Sequence, residues 1–156
     1  MLEVDVVRIS VIVPIYNVKL YIERCVRSLM EQTLENIEFI FVNDCTPDDS
    51  MDILHYVLEE YPKRREQIKI IEHETNRGIS AVRNTGLKNA TGQYIIYCDS
   101  DDWVEKNMYE KLLVKALETS ADIVGCDFFD DYVAHSTIRK QLFPQQSEKC
   151  VKKMLR

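Results

Sequence analysis

Tyr94 to Cys98 is a run of five uncharged residues, and the four positions after it hold three aspartates, Asp99, Asp101 and Asp102. The run follows Gly92 and suits a strand buried on both faces. At the carboxyl end of such a strand the chain leaves the sheet, which is where open α/β sheets hold their ligands. Three carboxylates gathered there repel one another by roughly 1 to 4 kcal/mol per pair at about 4 Å. A divalent cation is the simplest group to offset that cost, because hard cations prefer oxygen ligands. The plain alternative is a solvated turn in which Asp99 or Asp102 caps the next helix.

The same rhythm recurs along the chain. Ile9 to Ile15 is β-branched and reads as a first strand, with Pro14 near its end where a ladder donor can be spared. From Val18 to Glu31, Ile22, Cys25, Val26, Leu29 and Met30 recur at helical spacing. Ile37 to Val42 predicts a second strand, followed by Asn43-Asp44. Thr46-Pro47 then signals a helix start, and Leu54, Val57, Leu58 and Tyr61 share the face of that helix, which Pro62 helps to stop. Ile68 to Glu72 is a short third strand. A polar loop leads into a helix from about Ser80 to Ala90, closed by Gly92. Tyr109, Leu112, Leu113, Ala116 and Leu117 mark a further amphipathic helix, and Asp122 to Phe129 reads as a fifth strand. Strand and helix in alternation imply βαβ units, hence an α/β fold with a mainly parallel sheet flanked by helices. Beyond Phe129 the pattern weakens. Ser136 to Gln146 is polar, and Glu148 to Arg156 is compatible with one more helix with Val151, Met154 and Leu155 inward. The pattern stops where another element is expected, so the chain reads as cut short.

Composition narrows the function. A chain of 156 residues fits one domain, and a net charge of -6 argues against a general nucleic-acid binder. No apolar run is long enough to span a bilayer, and Met1 to Asp5 lacks the basic start and apolar core of a signal peptide. The five cysteines (Cys25, Cys45, Cys98, Cys126 and Cys150) include no Cys-x-x-Cys pair. Buried, reduced thiols in a cytoplasmic protein fit them better than disulfides or zinc. His55, His73 and His135 are scattered without metal-type spacing. With four glycines, at 78, 86, 92 and 125, neither a dinucleotide fingerprint nor a P-loop can be assembled.

Two predicted strands end in acids, at Asp44 and at Asp99 to Asp102, and a parallel sheet puts both at one edge. Asp44 can accept an N–H from a nucleobase or, more plainly, cap a turn. Arg77 and Arg83 enter from the third loop and its helix, suited to phosphate or to surface ion pairs, with Gly78 allowing close backbone approach. Tyr16 and Trp103 offer flat faces for a base or sugar, or serve as packing.

These pieces together resemble the nucleotide-sugar-binding half of a family 2 glycosyltransferase with the GT-A fold. The resemblance is carried by Ser10-Val11-Ile12-Val13-Pro14-Ile15-Tyr16-Asn17, Ser28-Leu29-Met30-Glu31-Gln32-Thr33 and Phe41-Val42-Asn43-Asp44. It continues through Asn76-Arg77-Gly78-Ile79-Ser80-Ala81-Val82-Arg83-Asn84, Ala90-Thr91-Gly92-Gln93-Tyr94-Ile95 and Asp99-Ser100-Asp101-Asp102-Trp103. Each piece is weak, but the ordered set over residues 9 to about 129 is highly specific. The resemblance implies a metal-dependent, inverting transfer of sugar from a nucleotide-sugar donor, UDP-linked, to a saccharide or lipid-linked acceptor. It implies that Asp44 binds the base, normally uracil, in a pocket lined by Pro14 and Tyr16, with Arg83 near the nucleotide. Asp99, Ser100 and Asp101 form the family's D-x-D. Asp99 is then expected at the ribose and beside the metal, Asp101 on the Mn²⁺ or Mg²⁺ that holds the diphosphate, and Asp102 supporting the site from its edge.

The resemblance also implies a division into a donor-binding domain over residues 1–130 and the start of an acceptor-side region over 131–156. Membrane association is expected only through a segment beyond this chain. Two departures stand out. Cys45 occupies a position where the family usually has Gly, and no acceptor-side carboxylate base is assigned, Asp127, Asp130 and Asp131 lying too early to match it. A non-catalytic nucleotide-binding module is therefore the second reading. An aspartyl-nucleophile phosphatase is the third, because Asp99-Ser100-Asp101 also follows an apolar strand.

Overall fold

The computed structural model describes residues 9–132 and 135–141. Four strands, β1 (Ile9–Ile15), β2 (Ile37–Asn43), β3 (Ile68–Glu72) and β4 (Tyr94–Tyr97), form one sheet in the order β3-β2-β1-β4, parallel throughout. The helices between them are α1 (Ile22–Met30), α2 (Ser50–Glu59) and α3 (Ile79–Asn89), with a short 3-10 turn at Pro62–Gln67, and α4 (Met108–Thr119) follows β4. β1 and β2 are buried along their whole length, as central strands covered on both faces must be. The expected face of α1 is the buried one: Ile22, Cys25, Val26, Leu29 and Met30 pack with Val11, Val13, Phe39 and Phe41. On the opposite face of the sheet, Val82 of α3 packs with Ile12, Ile40 and Val42.

Several local expectations are corrected. β4 is only half-buried and Tyr97 is 44% exposed, because β4 lies at the margin of the sheet among the described residues rather than inside it. α2 starts at Ser50, not at Thr46-Pro47. Asp49 is the N-cap, and the turn before it is held by Asp48, which accepts from the Ser50 N–H (3.2 Å) and hydroxyl (2.5 Å), the Thr46 hydroxyl (2.7 Å) and Lys19 N–H (3.0 Å). α3 ends on Ala90 in an extended conformation. Gly92 instead serves close packing, since a Cβ there would fall 2.6 Å from the backbone nitrogen of Ser10. Neither Asp99 nor Asp102 caps a helix, since α4 begins only at Met108.

The chain forms two compact units that divide between Leu113 and Val114, within α4. In the first, Tyr109 and Leu113 join the main core. In the second, Ala116 is buried but Leu117 is 51% exposed, against expectation. The fifth strand is displaced: β5 spans Phe128–Tyr132 and pairs antiparallel with β6 (His135–Arg139) in a separate two-stranded sheet. Residues 122–127 hold no strand and Ile123 is 68% exposed. A strand needs a partner edge, and residues 128–132 find one in the adjacent segment, whereas residues 122–127 find none among the described residues. The helix expected at Glu148 to Arg156 lies outside the described residues, as does Cys150. Among the described residues no helix is long and apolar enough to cross a membrane.

Candidate functional site

The sheet order brings the chain to a switch point. After β1 the chain adds β2 and β3 on one side, then crosses to place β4 on the other. The crevice beyond the carboxyl ends of β1 and β4 is where open α/β sheets take ligands. Register sets out what meets there. Ile15 lies opposite Asn43 and Asn43 opposite Glu72, so Tyr16, Asp44 and His73 leave the sheet in one row. β4 reaches only as far as Tyr97, opposite Ile12, and Cys98 N–H still donates to the Ile12 carbonyl (3.0 Å) before the acids begin.

Asp99 to Asp102 form a tight turn, closed by Asp102 N–H on the Asp99 carbonyl (3.0 Å). Ser100 is buried, while Asp101 and Asp102 are exposed. Although the residue as a whole is exposed, partial desolvation of its carboxyl, together with the charges of Asp101 and Asp99, holds Asp102 above the usual carboxylate range. Cys25 and Cys98 sit beneath the turn, each Sγ 3.8 Å from the Asp99 carbonyl oxygen. The Cys98 contact and burial push the Cys25 thiol well up, making it a protonated filler rather than a nucleophile. The expectation of buried thiols holds for these two, whereas Cys45 and Cys126 are exposed.

Arg83, from α3, donates from Nη2 to Asp99 Oδ1 at 2.9 Å, and its guanidinium carbon lies 5.4 Å from the Tyr97 ring centroid. Its Nε is buried without a partner in the structure. Thus Arg83 and Asp99 are brought together. Trp103, half-buried, is covered by Arg24 of α1 at 3.2 Å from the ring centroid, so one face of the indole is already occupied. Pro14 is buried in β1, and Tyr16 is half-exposed just beyond it.

Asp44 is not part of the Arg83–Asp99 cluster. It is 2% exposed, and its carboxylate accepts Arg77 N–H (2.9 and 3.1 Å, one to each oxygen), Gly78 N–H (2.8 Å) and His73 Nδ1 (2.7 Å). Burial alone would raise its pKa, but the His73, Arg77 and Gly78 bonds outweigh it and hold the group below the ordinary carboxylate range. Gly78 precedes α3 with φ +81°, a conformation that a side chain would strain. Cys45, next to Asp44, has φ +57°, which explains in steric terms why Gly suits that position.

Sequence reasoning missed His73. Its one signal was its place directly after β3, matching that of Asp44 after β2.

Asp99 and Asp101 are the residues of the acid turn that could hold a divalent ion. Among the described residues no three His, Cys, Asp or Glu side chains gather into an ion site by themselves. Mg²⁺ and Mn²⁺ bound to phosphate substrates, however, need only one or two carboxylates from the protein, the rest coming from phosphate and water.

The profile of Glycosyl transferase family 2 matches residues 10–154. The glycosyltransferase EpsJ of Bacillus subtilis is 45% identical over 140 residues, spanning 90% of this chain and 38% of EpsJ. S. aureus TarS (residues 1–349), solved in complex with UDP, is 32% identical with a TM-score of 0.65, covering 74% of this chain and 33% of that one. The mannosyltransferase PcManGT of Pyrobaculum calidifontis, solved with GDP-Man and Mn²⁺, is 26% identical with a TM-score of 0.62, covering 74% of this chain and 32% of that one. This chain therefore spans well under half the length of these three relatives. Asp99 follows the fourth strand of a GT-A sheet and is held by an arginine, which leaves the phosphatase reading without support. The parallel β3-β2-β1-β4 sheet, the acid turn at its switch point and the match across nearly the whole chain lead to one assignment: the chain belongs to glycosyl transferase family 2.

Proposed function

We propose that this chain is the donor-binding part of a metal-dependent, inverting glycosyltransferase that moves a sugar from a UDP-linked donor to a saccharide or lipid-linked acceptor. The observation that carries the reading is the Arg83–Asp99 pair beside Asp101 and Asp102, at the switch point of the sheet. In this reading residues 1–130 bind the donor and residues 131–156 begin the acceptor side.

Asp101 and Asp99 would hold Mn²⁺ or Mg²⁺, which when bound to the diphosphate stabilises the negative charge that builds on the leaving nucleotide. Arg83 fixes the orientation of Asp99 and keeps a cationic group at the same spot. Asp102 supports the turn from its edge. Tyr16 presents an exposed ring just past the end of β1 for a base to lie on, with Pro14 lining the pocket and Asp44 at the base end. Ser100, buried at the middle of the turn, keeps the two acids of the D-x-D apart. The base that activates the acceptor belongs, on this reading, to the part of the enzyme that follows.

Support for a nucleotide donor comes from the UDP bound by TarS and the GDP-Man and Mn²⁺ bound by PcManGT. Calorimetric titration of UDP into the chain with and without Mn²⁺ tests the reading. Metal-dependent heat is expected in the wild type, reduced at least about 100-fold in affinity by Asp101→Ala, the order expected when a principal ligand to the ion is lost. A wild type that gives no metal-dependent UDP heat overturns it.

A further inference from the structure

The ring of His73 is buried between two elements that each carry part of the site. Its Nδ1 lies 2.7 Å from Asp44 Oδ1 and its Nε2 2.9 Å from Thr85 Oγ1 on α3, while its backbone N–H donates to the Asn43 carbonyl (2.9 Å). Asp44 is an acceptor only, so Nδ1 carries a proton. In the neutral ring Nε2 then accepts from the Thr85 hydroxyl, an assignment that follows from the hydrogen-bond network.

A carboxylate offers about four acceptor positions. His73 Nδ1–H and Arg77 N–H meet Oδ1, and the shared Arg77 N–H and Gly78 N–H meet Oδ2, so each oxygen takes two contacts. Asp44 is thus held at one orientation by a side chain on one flank and a turn of backbone on the other. Two ties therefore run to α3, one from Asp44 to Gly78 at its cap and one from His73 to Thr85 within it.

We propose that His73 is a positioning residue for nucleotide recognition: it acts through Asp44 to hold that carboxylate, and the Arg77–Gly78 turn at the start of α3, in the arrangement that receives the base of the donor. The inference rests on the donor-binding reading above. It predicts that the base end and the diphosphate end of the donor respond separately, since the ring of His73 bonds to Asp44 and Thr85 whereas Arg83 bonds to Asp99.

The two ring nitrogens can be tested one at a time. In His73→Asn the amide nitrogen falls near the place of Nδ1 and reaches Asp44 but not Thr85. In His73→Gln the amide falls near Nε2 and reaches Thr85 but not Asp44. UDP with Mn²⁺, and pyrophosphate with Mn²⁺ as the base-free probe, are titrated into wild type and both variants, with folding followed by circular dichroism. Expected is UDP affinity within about 3-fold of wild type for His73→Asn and about 10-fold or more weaker for His73→Gln, with pyrophosphate affinity unchanged in both. Thr85→Val, which removes the hydroxyl that donates to Nε2, should weaken UDP about 2- to 3-fold. Equal UDP losses in the Asn and Gln variants, no loss in either, or a parallel fall in pyrophosphate affinity overturns the inference. A wild type that binds neither probe overturns the donor-binding reading as well. A wild type that binds both, with His73→Gln matching it, overturns the role of His73 alone.

Discussion

Two buried carboxylates stand at opposite ends of β2 and meet different fates. Glu38, at the start of the strand, accepts the Ser10 hydroxyl (2.5 Å), the Thr91 N–H (2.6 Å) and hydroxyl (2.9 Å), and Lys69 Nζ (2.7 Å). Burial acts to raise its pKa, yet the Lys69, Ser10 and Thr91 bonds together bring it down to about 2. It is closed off: the two neighbouring strands and the loop after α3 converge on it. Asp44, just past the other end, is also satisfied, but two of its donors are backbone N–H groups of a turn. Nearby on the same edge, Asp101 and Asp102 remain exposed. The difference follows from parallel pairing. Both ends of a parallel sheet collect acids easily, but here the amino end neutralises its carboxylate within the strands, while the carboxyl end leaves charge on loops that can meet a ligand.

The comparison gives an order of effects. Asp44→Ala removes the acceptor for the buried His73 ring and for two half-buried backbone N–H groups, and should cost about 2–4 kcal/mol in urea unfolding, together with UDP binding. Glu38→Gln should cost about 2–3 kcal/mol while leaving UDP affinity of the folded chain within about 2-fold, and a matching loss of binding would erase the contrast between the two ends. Acid sharpens it further. Glu38 and Asp48, each at about 2, and Asp44, also lowered, bind protons less readily folded than unfolded. Their stabilisation is therefore complete above about pH 4.5 and is lost as pH falls toward 2. Unfolding midpoints measured from pH 6 to pH 2 should fall steeply, and Glu38→Gln should flatten that slope. Gly86→Ala should cost about 1–3 kcal/mol, because a Cβ there would meet Ile12 Cγ2 of β1 at 2.3 Å, with unfolding by urea as the measure. Cys45→Gly is the smallest effect, a gain of about 0.5–1 kcal/mol in the same measurement, from relief of its positive φ.

The strands were legible because β-branched runs bounded by polar turns admit few other readings. β3 spans Ile68–Glu72 as expected, and the five buried residues of α1 are those its spacing picked out. The acid turn was legible as a cluster because its members are adjacent in sequence. Asp44 was legible as an acid at a strand end, but its locking role was not, since its donors are main-chain groups from a distant loop and carry no residue signature. His73 was hidden for a related reason: a single histidine has no spacing, and its partners Asp44 and Thr85 meet only once β2, β3 and α3 are assembled. The predicted start at Thr46-Pro47 falls short of Ser50, where α2 begins, because the segment between is held by Asp48, through local bonds from Ser50 and a tertiary bond from Lys19 that the sequence does not show. The fifth strand was misplaced because an apolar run says nothing about whether an edge is free to receive it.

Gly86 has a consequence for the spacing of the whole edge. By lacking a side chain it lets α3 bed directly on Ile12, and the same helix meets one acid at its cap and another through Arg83. At 1.5 Å per residue, Gly78 and Arg83 are separated by about 7.5 Å along the axis. The helix is thus a gauge block: seated without slack on β1, it sets how far apart Asp44 and Asp99 are held.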